Sequence, residues 1–271
     1  VYHRRFEGLA LGLFLLLTSS VWAQIETANG GVTSPHSPEL KAKSMIMRAE
    51  NGDMTTFELS GSWGLNPTNE LRILVPYQIS EHMGAQQSGL GDLALRYKHS
   101  LASSNGVMSS DRFALLVDAT APTGNSDNPD LPPRAQLGLG APAVGVGLVY
   151  SLIRDRHRAS FEVGHLQPLG NGFAGTSRLN LAYWYRLTPA EFPEDGTPTE
   201  VRGVLELLGE LRGPEFGQDA GTLVYLAPGL QIYPSREFQL ELNVRIPVAQ
   251  SLSDQMGDRQ LGGSLAAKIR F

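Results

Sequence analysis

Taken two residues at a time, most of the chain sorts onto two faces. Between positions 69 and 80, Leu71, Ile73, Val75 and Tyr77 share one side. Leu93, Leu95 and Tyr97 follow, then Phe113, Leu115, Val117 and Ala119. Later segments add Phe161 and Val163, then Leu179, Leu181, Tyr183 and Tyr185, then Leu205, Leu207 and Leu211. The cleanest run is Phe238, Leu240, Leu242, Val244, Ile246 and Val248. The opposite positions hold Arg72, Asp92, Arg96, Lys98, Asp118, Glu162, Arg178, Arg186, Glu206, Glu210, Glu241, Arg245 and Lys268. Successive strand side chains point to opposite faces, so this period of two predicts strands with one apolar and one charged face. No segment keeps a helical period over three turns.

The alternation and its turn residues predict twelve strands, at 41–50, 53–65, 69–80, 89–101, 111–121, 136–153, 157–168, 176–188, 199–212, 220–233, 236–248 and 259–271. The facing of the strands at 41–50, 136–153 and 220–233 stays open. Turn chemistry at Asn51-Gly52, Asn66-Pro67 and Pro234-Ser235 punctuates the runs. The segregation decides between architectures. A basic residue on a barrel's lipid face costs about 2–4 kcal/mol at mid-bilayer, so lipid enforces a face without charge. A soluble sandwich also alternates, with its apolar side inward. The pattern predicts an all-β protein, a transmembrane antiparallel up-and-down β-barrel of about 12 strands. Short turns at 154–157 and 234–236 fall on the periplasmic side, and the stretches 80–89, 121–136 and 249–259 outside. The connections 102–110 and 188–199, long ones on the periplasmic side, and the short outer turn at Asn51-Gly52 sit against that register.

The final strand runs to Phe271 with Ile269, Ala267, Leu265, Gly263 and Leu261 on one face. It resembles the C-terminal signature of outer-membrane barrels, which implies the barrel assembly machinery as a partner through Phe271. At the other end, Arg4 and Arg5 precede the apolar run Leu9–Leu17 and the small-x-small site Val21-Trp22-Ala23. This reads as a cleavable signal peptide over 1–23 in preference to an uncleaved anchor. Residues 24–40, rich in Gly, Ser, Thr and Pro, read as a flexible periplasmic leader, and 41–271 as the barrel. The expected location is the bacterial outer membrane, with its lipid as partner.

Composition narrows the classes. With 18% charged residues and a mean hydropathy of -0.14, a bundle of membrane helices is excluded. Absence of cysteine excludes disulfides, thiolate metal sites and a lipoprotein anchor. A net charge of -5 without a basic block argues against nucleic acid. The histidines are His3, His36, His82, His99, His157 and His165. His99 and Ser100 are adjacent, so they point to opposite faces, and no spacing suggests a metal site. No enzyme, metal or cofactor is expected.

Gly89-Leu90-Gly91-Asp92, Pro122-Thr123-Gly124 and the glycine-rich Leu137–Ser151 occur in that order. Together they resemble the outer-membrane family labelled "putative MetA-pathway of phenol degradation", across most of 41–271. The resemblance implies a membrane barrel and a role in uptake of aromatic or other hydrophobic small molecules. The residues by themselves read as structural: glycines in strands mark bends and close approaches. No helix opens after the Gly-x-Gly pair, as a phosphate cradle requires.

The charged face supplies the candidate lumen lining: Arg72, Asp92, Arg96, Lys98, Asp118, Glu162, Arg178, Arg186, Glu206, Glu210, Glu241, Arg245 and Lys268. Trp184 is the one aromatic facing the same way. Trp63, Tyr77, Tyr97, Tyr183, Tyr185 and Phe271 read as interfacial girdles. Two functions compete. One is a passive channel for small, aromatic or hydrophobic solutes. The other is a non-transporting structural or adhesive barrel whose lumen is plugged by ion pairs. A soluble barrel that binds a ligand inside is a third possibility.

Overall fold

The computed structural model describes residues 27–170, 172–193, 195–214, 221–252 and 257–271. The signal-peptide assignment, 1–23, lies outside the described residues. The strands are β1 (Glu39–Ala49), β2 (Gly52–Asn66), β3 (Asn69–His82), β4 (Ala85–Leu90), β5 (Leu93–Gly106), β6 (Ser109–Ala121) and β7 (Ala143–Arg154). They continue with β8 (His157–Pro168), β9 (Thr176–Thr188), β10 (Glu200–Arg212), β11 (Gly221–Tyr233), β12 (Phe238–Ser251) and β13 (Arg259–Arg270).

Apart from β4 and β5, each strand pairs antiparallel with its sequence neighbours, and β1 pairs with β13 to close the ring. β4 and β5 pair with successive parts of β3, so they are two halves of one wall strand, interrupted at Gly91-Asp92. The result is a closed barrel of twelve strand positions. At one end, called proximal here, β1 begins at Glu39 opposite Arg270, and Arg270 donates to the Glu39 carboxylate at 2.6 Å.

The wall is inside-out. Leu95, Val117, Leu181, Leu205, Leu242 and Val244 are exposed. Arg96, Asp118, Glu162, Glu206, Glu241 and Arg245 are buried. Water would drive the opposite arrangement, and burying this many charges is tolerated only where they pair. An apolar outer band over a polar interior is the solution for a barrel in lipid, so the structure is that of an outer-membrane-type β-barrel. Tyrosines anchor the outer face near the proximal rim. Tyr97 reaches Asn69 at 2.5 Å, Tyr150 reaches Asp111 at 2.6 Å, and Tyr183 contacts His157 at 2.6 Å.

Three expectations are corrected. The stretch 80–89 is not a loop: β3 runs to His82 and turns at Met83-Gly84 into β4. The stretch 102–110 is a tight hairpin with β5 and β6 paired up to Gly106 and Ser109. The strand expected from 136 begins only at Ala143, because residues 136–142 fold inward with Leu137, Leu139 and Ala141 buried. The three strands left open all place their odd-numbered residues inside, including Lys41, Lys43 and Met45 on β1 and Leu223 and Tyr225 on β11.

Candidate functional site

The lumen is the site, and three structures fill it. The first is an ion network on β5, β6, β8 and β9. Arg96 grips Asp118 with two parallel bonds, Nε to Oδ1 at 2.6 Å and Nη2 to Oδ2 at 3.0 Å. Arg178 donates to the same carboxylate at 2.9 Å and lies 2.9 Å from Glu162. Lys98 pairs with Glu70 at 3.2 Å, and Lys41 with Glu241 at 2.6 Å. Two guanidiniums sharing two carboxylates meet the condition that a buried charge be paired.

The second is the chain segment ahead of β1. Residues 27–33, where the sequence reads a flexible leader, run across the lumen as a strap. Its backbone is held by wall side chains. The N–H groups of Thr27 and Ala28 donate to Glu206 and Glu162, both at 2.8 Å. Gly30 donates to Ser151 Oγ at 2.8 Å, and Thr33 to Glu70 Oε2 at 2.7 Å. The carbonyls of Ala28 and Gly31 accept from Ser160 and Lys98, each at 2.8 Å. Gly30 and Gly31 permit the closeness: a Cβ on Gly30 would lie 2.8 Å from the Arg112 carbonyl, and one on Gly31 2.5 Å from the Arg112 guanidinium.

The third is the distal connection 122–142, which enters the barrel mouth. Asp92, at the break between β4 and β5, is fully buried. Its carboxylate accepts the N–H of Gly124 at 2.9 Å and of Leu139 at 2.7 Å. Thr123 donates to the Gly91 carbonyl and accepts from Leu93 N–H, both at 2.9 Å. A Cβ on Gly138 would sit 2.4 Å from Asp92 Oδ1. The three glycine motifs of the sequence therefore meet at one junction. Beyond it, Met45, Met47, Leu208, Leu223, Tyr225 and Ala227 form an apolar cluster on the inner wall.

Every candidate lining residue is on an inward position or, for Asp92, in the junction. Arg72 donates to Ser62 at 2.8 Å, Glu210 pairs with Arg212 at 2.5 Å, and Lys268 approaches Glu39 at 3.6 Å. Glu241 accepts from Gln239 and from Gln231, the latter at 3.2 Å. Arg245 is fully buried and contacts Met47 Sδ at 3.7 Å. Trp184 is buried inward with its indole N–H lacking a hydrogen bond. Arg186 is buried and meets Asp155 at 3.2 Å. The structure brings Arg96, Asp118, Arg178 and Glu162 together, and leaves Glu241, Lys268 and Trp184 on other parts of the wall. Sequence reasoning missed Glu70, Lys41, Lys43, Arg158 and Arg202, all inward. The same alternation marks Arg158 and Arg202, beside Glu162 and Glu206 at spacings of four. Among the described residues no three acidic or histidine side chains form a metal cluster.

No family model and no curated protein matches the chain. Solved structures do. The COG4313 outer membrane channel from Pseudomonas putida F1 superposes with a TM-score of 0.71 at 14% identity, over 92% of this chain and 100% of that one. The NanC porin gives a TM-score of 0.49 at 9% identity, over 86% and 98% of the two chains. The first likeness establishes the fold, that of an outer-membrane β-barrel; the second carries no further weight.

Proposed function

We propose that the protein is an outer-membrane channel that passes small solutes by passive diffusion through its lumen, with the proximal end facing the periplasm. The observation that carries this reading is the nature of the obstruction. The strap crosses the lumen on hydrogen bonds to wall side chains and has no strand partner, so it can move without breaking the barrel. A polar, charged inner wall without a continuous packed core is the lining a solute path needs. The solved structure of the same fold is that of an outer membrane channel, which supports the reading. The sequence resemblance adds aromatic or other hydrophobic molecules as the solute class and the assembly machinery as the reader of Phe271.

The rival, a plugged structural barrel, is favoured by the Arg96–Asp118–Arg178–Glu162 network, which resembles a filled core. Single-channel recording in planar bilayers separates the two. Small, resolved conductance steps and swelling of liposomes in aromatic solutes are expected of the channel. A barrel correctly folded by heat-modifiable migration, yet electrically silent and impermeable, would establish the plugged reading.

A further inference from the structure

The proximal half of the lumen holds hydrogen-bond donors that the protein itself leaves unused. On β8, Arg158 faces inward and makes no hydrogen bond or ion pair with any described residue. Its direct cross-strand partner on β9 is Trp184, whose indole nitrogen is buried and unpartnered. One inward step along β9, the Nε of Arg186 is also buried without a partner. The charges acting on Arg158 are those of Arg202 and Arg112, with the Tyr233 hydroxyl, which already accepts from Arg202 at 3.1 Å, and the acid Glu200 as the nearby oxygen groups. That acid is taken: Glu200 pairs with Arg202 at 2.7 Å. The other local carboxylate, Asp155, pairs with Arg186 at 3.2 Å.

Burying an unsatisfied donor costs about 1–3 kcal/mol, more when it is charged, and native proteins leave few of them. The indole N–H of Trp184 and the Nε of Arg186 are two such donors, and the half-buried Arg158 beside them bonds to no described residue; together these inward positions describe a receptor for an oxyanion. Guanidinium and indole N–H groups are both donors only, and a carboxylate accepts from several at once. The same layer of the wall adds apolar surface. Ile153 pairs with Arg158 from β7, and Val204 pairs with Trp184 from β10. The strap residues are held one layer deeper, by Ser151, Ser160 and Glu206, and from the β9–β10 connection Phe192 stacks against the Arg186 guanidinium at 4.4 Å.

We propose that Arg158 and Trp184 form a binding site for the carboxylate of a small solute with an apolar or aromatic body, flanked by Arg112, Arg186 and Arg202. This names the solute class for the channel, and only its transport role rests on that reading. The test is isothermal titration calorimetry of the full, detergent-folded protein with benzoate, with benzyl alcohol as the uncharged counterpart. Benzoate is expected to bind saturably at one site, and benzyl alcohol to bind at least tenfold more weakly. Arg158→Gln should weaken benzoate at least tenfold, Arg158→Lys should restore part of the loss, and Trp184→Phe should weaken it several-fold. Arg154→Gln, on the outer face, should leave it unchanged. Heat-modifiable migration reports whether each variant folds, and Arg158→Lys keeps the test decisive should Arg158→Gln not fold. Benzoate binding unaffected by both Arg158→Gln and Trp184→Phe would overturn the site. Equal binding of benzyl alcohol, or of inorganic phosphate, would overturn the carboxylate assignment. Calorimetry needs no flux: binding without conductance removes the channel and keeps the site, and conductance without binding does the reverse.

Discussion

At the scale of single residues, the lumen separates charges that hold the structure from charges that decorate it. Arg178 bridges Asp118 and Glu162 with its side chain only 13% exposed. Replacing it by Met leaves Glu162 without its ion-pair partner in a buried place, a loss worth about 3–5 kcal/mol for broken buried pairs. Urea unfolding of the folded barrel, followed by intrinsic fluorescence, should show that drop for Arg178→Met. Arg48→Ala should show none of consequence, since Arg48 and Asp53 are both about half exposed at a separation of 3.7 Å. The inward direction of Arg178, Glu162 and Asp118 was legible because outward apolar residues lie beside each on its strand: Leu179, Phe161 and Val163, and Val117 and Ala119. Lys41 and Lys43 were not, because the same face continues into Met45 and Met47. An inward face that changes from charged to apolar midway gives the alternation no sign. The strand β11, with Leu223, Tyr225 and Ala227 inside, is ambiguous for the same reason.

At the scale of elements, the strands are set by which face lipid accepts. Val244, mid-strand on β12 and exposed to the membrane, tests this: Val244→Arg should cost about 2–4 kcal/mol in unfolding from lipid. The failure of sequence reasoning over 136–142 has a matching cause. Leu137, Leu139 and Ala141 alternate with Gly138, Gly140 and Pro142, which imitates a strand. Yet these three residues are 2%, 6% and 4% exposed, far below the outward residues of the wall. The segment is tied inward by Asp92, and the period of two is blind to an anchor 47 positions away. The turns at Met83 and Met108 escaped notice for another reason. Both methionines take left-handed backbone, with φ of 49° and 54°, where asparagine or glycine is the usual signal. Asp92→Ala should release the connection 122–142 without opening the barrel. Limited proteolysis should then cut within that stretch at least several-fold faster than in the parent protein, while heat-modifiable migration persists. Unchanged cleavage would mean that the apolar residues alone hold the segment in.

At the scale of the whole molecule, the barrel and its contents are separable. The wall is closed by backbone ladders through every strand position, and the strap contributes to none of them. Its holding points are Glu70, Lys98, Ser151, Ser160, Glu162 and Glu206, which lie 37 to 179 positions along the chain from the strap residues they bind. No local pattern announces such partners, and a Gly- and Ser-rich stretch reads as a loose leader until the wall is assembled around it. The ordering entropy of those few residues, about 1–2 kcal/mol each for the backbone, is opposed by hydrogen bonds to charged groups worth about 1.5–3 kcal/mol. The two terms are of similar size, so the strap is held far less firmly than the paired strands of the wall. Deleting residues 27–33 should therefore leave folding and heat-modifiable migration intact while raising single-channel conductance several-fold. It should also suppress brief closures in the current record, since no segment remains to swing across the path. A deletion variant that folds and conducts at the parent level would show that the strap does not set the constriction. The limit would then lie at the distal mouth, where Asp92 draws Gly124 and Leu139 inward, and Asp92→Ala would be the variant that opens it.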